Sequence, residues 1–488
     1  MNASACLDAA SLLLLGLAGA HGLHRARLLA ALGSGTERAA PAPAAGLADR
    51  APSVTVQLPL YNERDVAARV THACAALDWP RHLFEIQVLD DSDDDTSVAV
   101  DQAVNEVRSR GIRVSVLRRA HREGFKAGAL AAGLEAASGE LVAIFDADFV
   151  PRPDFLHRLV PHFQDPGVGM VQARWGHLNA GESVLTRTQA TLLDGHFGVD
   201  HAARAALGCW FNFNGTAGVW RRRCILDAGG WQGDTLTEDL DLSYRAQLAG
   251  WRFVYAGEVV VPGEVPSTVE AFQVQQRRWA MGSMQTFRKL GLRVLRARAP
   301  LAVRAEALAH LGANLAWFPA FGLAVLLPWM VLVRSGPIGV WMPVLAGLVC
   351  TLPNLWFYTV AGGSLRAAPA AMILALGLVP SQARATLAGL MGAQAPFART
   401  PKHGGAARPS YGQGSASLGI LELGLAAPHV LAAFVSAARG DWPPVLFLAL
   451  FASGLIWVGG RFQRGTLHSS QPERTWFSFS SPSQPPPP

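Results

Sequence analysis

The sequence predicts an α/β domain with a parallel sheet covered by helices on both faces, flanked by apolar, membrane-directed segments. Three observations predict it. Half of the 488 residues are hydrophobic and only 16% are charged, against about a quarter in a soluble globular chain. The charges are frequent between about 53 and 300 and sparse on either side. Within that stretch, short aliphatic runs alternate with amphipathic ones, the pattern of strand, helix, strand, helix.

At the N-terminus, residues 9–24 carry no charge and include the run Leu12–Leu15. Asp8 is the only charge before them, and Arg25 and Arg27 follow. A signal peptide would place its basic residues first. The observed order suits a membrane anchor over 1–27 with its C-terminal side in the cytosol. Residues 28–52 are rich in Ala, Gly and Pro and read as a linker. Residues 53–304 then form the α/β domain. Its strand-length runs are Val54–Leu58, Ile86–Leu89, Val114–Leu117 and Leu141–Phe145, with amphipathic stretches over 65–77 and 97–109. Ligands of such sheets bind at the C-terminal strand ends. Polar clusters sit there: Asn62-Glu63, Asp90-Asp91, and Asp146 with Asp148.

Residues 305–464 read as a multi-pass membrane region. The segments 307–333 and 335–365 are charge-free and long enough for a hydrocarbon core of about 30 Å. A shorter pair follows at 423–438 and 442–460. Between the pairs, 369–393 contains Ser381, Gln382 and Arg384 and is flanked by Arg366, Arg399, Lys402 and Arg408. With both flanks cytosolic it cannot cross, so an interfacial or re-entrant segment is expected over about 369–410. A further spanning helix is the competing arrangement. The Ser/Pro/Gln-rich tail 465–488 reads as disordered.

Lys plus Arg is 42 and Asp plus Glu 36, a net +6. The basic residues lie mainly beside the apolar segments, which the positive-inside rule explains more simply than nucleic-acid binding. Cys6, Cys74, Cys209, Cys224 and Cys350 form no C-x-x-C, excluding a disulfide framework and zinc knuckles. A reduced, cytosol-facing domain follows.

Asp146-Ala147-Asp148 ends a very apolar strand. Paired carboxylates there suit Mg²⁺ or Mn²⁺ completed by substrate phosphates; a solvated loop with a helix cap is the plainer reading. Asp90 to Thr96 holds five Asp, of which Asp90 and Asp91 sit directly on the strand end. Carboxylates accept hydrogen bonds from a base and from ribose, whereas Asp94 or Asp95 caps the next helix. Lys126, in Gly124-Phe125-Lys126-Ala127-Gly128, opens an Ala-rich helix and suits a diphosphate, or is a surface lysine. Thr237-Glu238-Asp239 marks a helix start with more acid than a cap needs, so one carboxylate is a candidate general base. Gln275-Gln276-Arg277-Arg278-Trp279 joins a phosphate-binding guanidinium to an indole face for a sugar, or is a basic juxtamembrane helix. As a set, these groups are what a nucleotide-sugar transferase requires.

The set resembles the membrane-bound family 2 glycosyltransferases, whose fold is called GT-A. The group includes cellulose synthase, cellulose-synthase-like mannan and glucan synthases, and ceramide glucosyltransferase. The resemblance covers about 53–410 and rests on motifs in order. They are Pro59-Leu60-Tyr61-Asn62-Glu63, Asp90-Asp91-Ser92, Lys126-Ala127-Gly128, Asp146-Ala147-Asp148 and Gln172-Ala173-Arg174-Trp175. Phe213-Asn214-Gly215-Thr216, Gly229-Gly230-Trp231, Thr237-Glu238-Asp239, Gln275-x-x-Arg278-Trp279 and Phe397–Lys402 follow.

The resemblance implies an inverting single displacement. Asp239 is then the base, within Thr237-Glu238-Asp239. Asp146 and Asp148 hold Mg²⁺ or Mn²⁺. Asp90 and Asp91 hold the nucleoside, with Asn62 and Glu63 nearby. Lys126 and Arg278 contact phosphate, and Gln275 and Trp279 position the acceptor. His177 either lines the site or is structural. The donor is a UDP- or GDP-hexose, since an acid pair reads uracil or guanine. The acceptor is a growing β-linked polysaccharide. A single-transfer glycolipid synthase is the alternative, and a non-catalytic membrane subunit is an alternative of another class. Intact acids at 146, 148 and 239 disfavour the last.

Overall fold

The computed structural model describes residues 3–33, 51–333, 337–362, 368–393 and 417–469. The motif at Phe397–Lys402, the tail from 470 and most of the expected linker lie outside these residues.

Helix α1, Ala3–Gly33, runs past the expected anchor and takes in the first six residues assigned to the linker. The sheet domain starts with β1 (Val54–Leu60), α2 (Arg64–Ala75), β2 (Phe84–Asp90) and α3 (Thr96–Ser109). It continues with β3 (Val114–Leu117), α4 (Phe125–Ala136), β4 (Leu141–Ile144), α5 (Phe155–Leu159) and β5 (Val168–His177). Next come α6 (Val184–Gly195), a π-helical stretch at His196–His201, α7 (Ala202–Ala206), β6 (Gly218–Arg221) and α8 (Arg222–Asp227). Helix α9 (Glu238–Leu248) and β7 (Arg252–Gly263) complete it.

All four expected strands form. They pair in parallel, with β1 between β2 and β4 and β3 outside β2. The full order is β3-β2-β1-β4-β6-β5-β7, and β6 is antiparallel to both its neighbours. Every residue of β1 is buried, as expected of a strand covered on both faces. β4 shows the two faces directly. Leu141, Ala143 and Phe145 join the core beneath α2, α3 and α5, while Val142 and Ile144 join the core beneath α4, α8 and α9. Strand order reverses between β1 and β4, so a crevice opens there.

Beyond the sheet, α10 (Val269–Leu295) and α11 (Leu301–Leu311) lead into α12 (Trp317–Val333) and α13 (Pro337–Gly362). Then come α14 (Ala368–Leu390), α15 (Ser417–Ala438) and α16 (Trp442–Ser469). Four stretches among the described residues are long and apolar enough to cross a membrane: Ala313–Val333, Ala368–Leu390, Gly419–Ala438 and Trp442–Gly460. The first part of the segment expected to lie in the interface is one helix of 23 residues with the length and composition of a crossing helix, and residues 394–410 of it lie outside the described residues. Of its polar residues Ser381, Gln382 and Thr386 are enclosed, while Arg384 is exposed. In α13 the apolar stretch is shorter, Val344–Val360. α16 continues to Ser469, five residues into the expected tail.

Helix α1 is tied to the sheet domain and α11 through one buried carboxylate. Glu306 of α11 is 1% exposed and takes His24 of α1 at 3.0 Å and Arg204 of α7 at 3.1 Å.

Candidate active site

The crevice at the β1–β4 reversal is a cavity lined from most of the strand ends and by α10. β4 is aliphatic to its last residue, so the chain leaves the sheet with alternation intact. Ala147 is buried in the core, while Asp146 and Asp148, on either side of it, line the cavity. The Asp146 N–H donates to Thr216 Oγ1 at 2.9 Å, fixing the turn.

Lys126 stands in the first turn of α4. It follows two left-handed residues, Gly124 (φ 68°) and Phe125 (φ 50°). Its ammonium donates to Asp146 Oδ1 at 2.6 Å and to the Gly215 carbonyl at 2.8 Å, and lies 3.9 Å from Glu238 Oε1. Burial pulls its pKa down, but the Asp146 and Glu238 carboxylates outweigh this and raise it above the usual lysine value. Gly128, two residues on, packs against the Glu123 carbonyl and Arg119, so the third residue of the Lys-Ala-Gly motif has no room for a Cβ.

α9 begins at Glu238, as the sequence predicts, with three acids in its first turn. They divide by environment. Asp241 is fully buried, 2.8 Å from Arg245 Nε and 2.9 Å from Lys289 Nζ of α10. Thr237, Glu238 and Asp239 line the cavity. Asp239 Oδ1 accepts from the Leu240 N–H at 2.8 Å. Burial, then the neighbouring Glu238 charge, push the Asp239 carboxyl up to about 7, against the pull of Lys126 and Arg278.

Gln275, Arg278 and Trp279 lie at i, i+3 and i+4 of α10 and share one face. All three line the cavity. Burial lowers the Arg278 pKa, opposed by Glu238, Asp146 and Asp239.

Two expected site residues do not line the cavity. Asp90, 2% exposed, is engaged by Arg118 Nε, Ser97 Oγ and the Ser92 N–H at 2.9, 2.9 and 3.1 Å. Asn62 donates to Asp93 Oδ1 at 2.7 Å and stitches two loops together. Successive side chains at a strand end point to opposite sides, so of Asp90 and Asp91 only the second lines the cavity. Arg119 grips Asp91 with two hydrogen bonds, at 3.0 and 2.5 Å. Glu63 lines the cavity as expected. His177 does both things considered for it. It lines the cavity, and its Nε2 lies 3.2 Å from Asp194, which Arg174 also holds at 3.0 Å.

The sequence reading passed over Arg122 and Glu264. The Arg122 guanidinium lies 3.3 Å from the centre of the Tyr61 ring at the cavity wall. It follows β3, so the rule of strand ends reaches it. Glu264, paired to Arg69 at 2.7 Å, follows β7, a strand the sequence reading lacked.

Among the described residues no group of three or more His, Cys, Asp or Glu side chains could hold a metal ion. The hard-oxygen pair Asp146 and Asp148 at an open cavity fits a divalent cation that takes its other ligands from a diphosphate.

A family model described as "Glycosyltransferase like family 2" matches residues 51–282. This stretch is a family 2 glycosyltransferase domain. The transferase domain is also similar to curated plant proteins. It is 44% identical over 250 residues to glucomannan 4-beta-mannosyltransferase 2 of Arabidopsis thaliana, covering 50% of this chain and 47% of that protein. It is 44% identical over 244 residues to glucomannan 4-beta-mannosyltransferase 1 of Cyamopsis tetragonoloba, covering 49% and 46%. The matched segment thus spans under half the length of these relatives. Among solved structures, the mannosyltransferase PcManGT of Pyrobaculum calidifontis, in complex with GDP-Man and Mn²⁺, aligns with a TM-score of 0.56 at 22% identity. The alignment covers 78% of this chain and 99% of that one. The shared fold is GT-A.

Proposed function

We propose that this protein is an inverting membrane glycosyltransferase that moves a hexose from a GDP- or UDP-sugar onto a growing β-linked polysaccharide. One observation carries the reading. Asp239, a carboxyl raised toward neutrality, lies next to Gly215, whose carbonyl binds the Lys126 ammonium. A candidate base and a candidate diphosphate cation are thus set side by side in one cavity. The mannosyltransferase names of the plant relatives support mannose as the first sugar to test.

In this reading Asp239 accepts the proton of an acceptor hydroxyl. The acceptor oxygen forms its bond to the anomeric carbon as the bond from that carbon to the diphosphate oxygen breaks. The electron pair leaves with the diphosphate. Lys126 and Arg278 match the charge that develops there. A divalent cation, when bound by Asp146 and Asp148, would supply further charge neutralisation. Asp91, held by Arg119, presents a carboxylate edge to the nucleoside, and Asp90 sets that loop rather than touching it. Trp279 and Gln275 offer a face and an amide to the acceptor sugar. The four candidate spans support a protein set in a bilayer, and the basic residues flanking them support a domain facing the cytosol.

The test is detergent-purified full-length protein with a panel of GDP- and UDP-sugars, with Mg²⁺ or Mn²⁺ or with EDTA, and products sized by mass spectrometry. A metal-dependent ladder of added hexoses is expected. A single sugar on co-purified lipid would replace the polysaccharide reading with glycolipid synthesis.

A further inference from the structure

The end of α10 away from the cavity has two unlike sides. On the inner side Leu290 and Val294 pack with Leu240, Tyr244, Ala307 and Leu311. Lys289, beside them, is held by Asp234 and Asp241 at 2.8 and 2.9 Å. The outer side carries cations without such partners. Arg288, Arg293, Arg296 and Arg298 are exposed, and among the described residues no carboxylate forms an ion pair with any of them. Leucines stand between these arginines. Arg288, Leu292 and Leu295 fall at i, i+4 and i+7 of α10 and share one face. Leu292 is 55% exposed, Leu295 51%, and Leu301, the first residue of α11, 73%. The end of α14 extends the patch. Leu387, Met391 and Arg384 are exposed there, and the Arg288 guanidinium fills the space that a Cβ on Gly392 would take.

A bare apolar patch on a folded protein marks a contact surface. Leucines and guanidinium groups mixed on one helix face have a particular use. The leucines reach the acyl boundary of a bilayer while the charged heads stay at the level of the phosphates. The place of the patch in the chain agrees. α11 ends at Leu311, and the first candidate span begins at Ala313. The charge decides which headgroup fits. Between Glu270 and Asp441 the sequence holds two acids, Glu306 and Glu422, and both are buried. The exposed charge of this surface is therefore all positive, and its complement is an anion. A phosphate takes two parallel N–H bonds from one guanidinium. A zwitterionic headgroup brings its own cation to compete with the arginines. Nucleic acid would satisfy the arginines but leave the leucines in water.

We propose that the outer face of α10 and the start of α11, from Arg288 to Leu301, binds the phosphate headgroups of anionic phospholipids. The inference goes beyond the transfer reaction and rests on the reading of the four candidate spans as a bilayer anchor.

Native mass spectrometry of the full-length protein in detergent tests it, with phosphatidylglycerol and phosphatidylcholine titrated separately. The wild type is expected to bind phosphatidylglycerol about tenfold more tightly than phosphatidylcholine. The quadruple change Arg288→Gln, Arg293→Gln, Arg296→Gln and Arg298→Gln is expected to weaken phosphatidylglycerol binding about tenfold. Phosphatidylcholine binding should stay within about twofold. The pair Arg293→Gln and Arg296→Gln is expected to fall between the two. Arg110→Gln with Arg223→Gln removes two exposed cations from the sheet domain instead, and is expected to bind as the wild type does. A wild type without preference for phosphatidylglycerol would overturn the inference, as would a quadruple variant that keeps the preference. So would a loss in the Arg110 and Arg223 pair equal to that in the Arg293 and Arg296 pair, since net charge would then be the cause. Protein stripped from membranes by alkaline carbonate would instead sink the bilayer reading. Co-sedimentation of wild-type and quadruple-variant protein with phosphatidylglycerol vesicles would then still test the arginines.

Discussion

Gly215 keeps a side chain's width clear for Asp239: a Cβ on Gly215 would lie 3.0 Å from Asp239 Oδ2 and 3.3 Å from Lys126 Nζ. The glycine also holds φ at +82°, a left-handed value that costs Ala about 1 kcal/mol. Gly215→Ala is therefore expected to cut turnover by about tenfold or more while lowering thermal stability only modestly. A steady-state assay beside a melting curve checks it. Normal turnover would show that the base and the cation do not need this gap.

As the proposed base, Asp239 would work only when ionised. With its pKa raised to about 7, activity should climb as pH rises from 6 to 8. The Glu238 charge is one cause of the rise, so Glu238→Gln should move this limb toward lower pH. Asp239→Asn should abolish transfer and leave nucleotide binding in place. A pH–rate profile of the three proteins decides, and a limb unmoved by Glu238→Gln counts against the assignment.

Trp279 lines the cavity from α10. Trp279→Ala is expected to lower transfer about tenfold while donor hydrolysis stays within about twofold. Radiolabelled donor, scored for both products, separates the two. Equal losses would make the indole a packing element only.

Asp241 lies two residues from the base yet makes its contacts in the core, between Arg245 and Lys289. Asp241→Ala leaves the buried Arg245 without a carboxylate, a loss of about 3 kcal/mol, while Lys289 keeps Asp234 and Gln232. A clear fall in the unfolding midpoint is expected. If the midpoint holds and turnover alone falls, Asp241 belongs to the chemistry.

The first half of the sheet was legible because parallel strands covered on both faces are continuous aliphatic runs, as in β1 and β4. The second half was not. β5 carries Gly169, Arg174, Trp175 and Gly176, and β6 is Gly218-Val219-Trp220-Arg221, so neither shows the aliphatic run that marks a strand. The β5–β7 ladder also shifts register between Ala173 and Arg174, which blurs any alternation. Site residues were legible where spacing fixes direction. Gln275, Arg278 and Trp279 share a helix face by arithmetic, and Asp146 and Asp148 flank a buried Ala. Adjacent Asp90 and Asp91 could not be ranked until the sheet fixed which one is buried. α14 reads as interfacial because Ser381, Gln382 and Arg384 look unfit for lipid one by one, while its length and composition suit the competing arrangement, a crossing helix. The fold encloses the first two and gives Gly389 a backbone of α10 to lie against.

α10 gives the chemistry a mechanical mounting. One end bears Gln275, Arg278 and Trp279. Further along, Gln285 accepts from the Leu236 N–H at 2.9 Å and donates to the Ala393 carbonyl just past α14, also at 2.9 Å. Thr286 meets Thr237 at 3.3 Å. Ala280 and Met281 pack on Ala385 of α14, a helix of membrane-crossing length. The proposed acceptor face and the loop before the proposed base thus hang from the same rod, and that rod leans on a helix long and apolar enough to cross a membrane. A shift of that helix would therefore carry the Gln275, Arg278 and Trp279 face and the Leu236–Thr237 loop together, as one body.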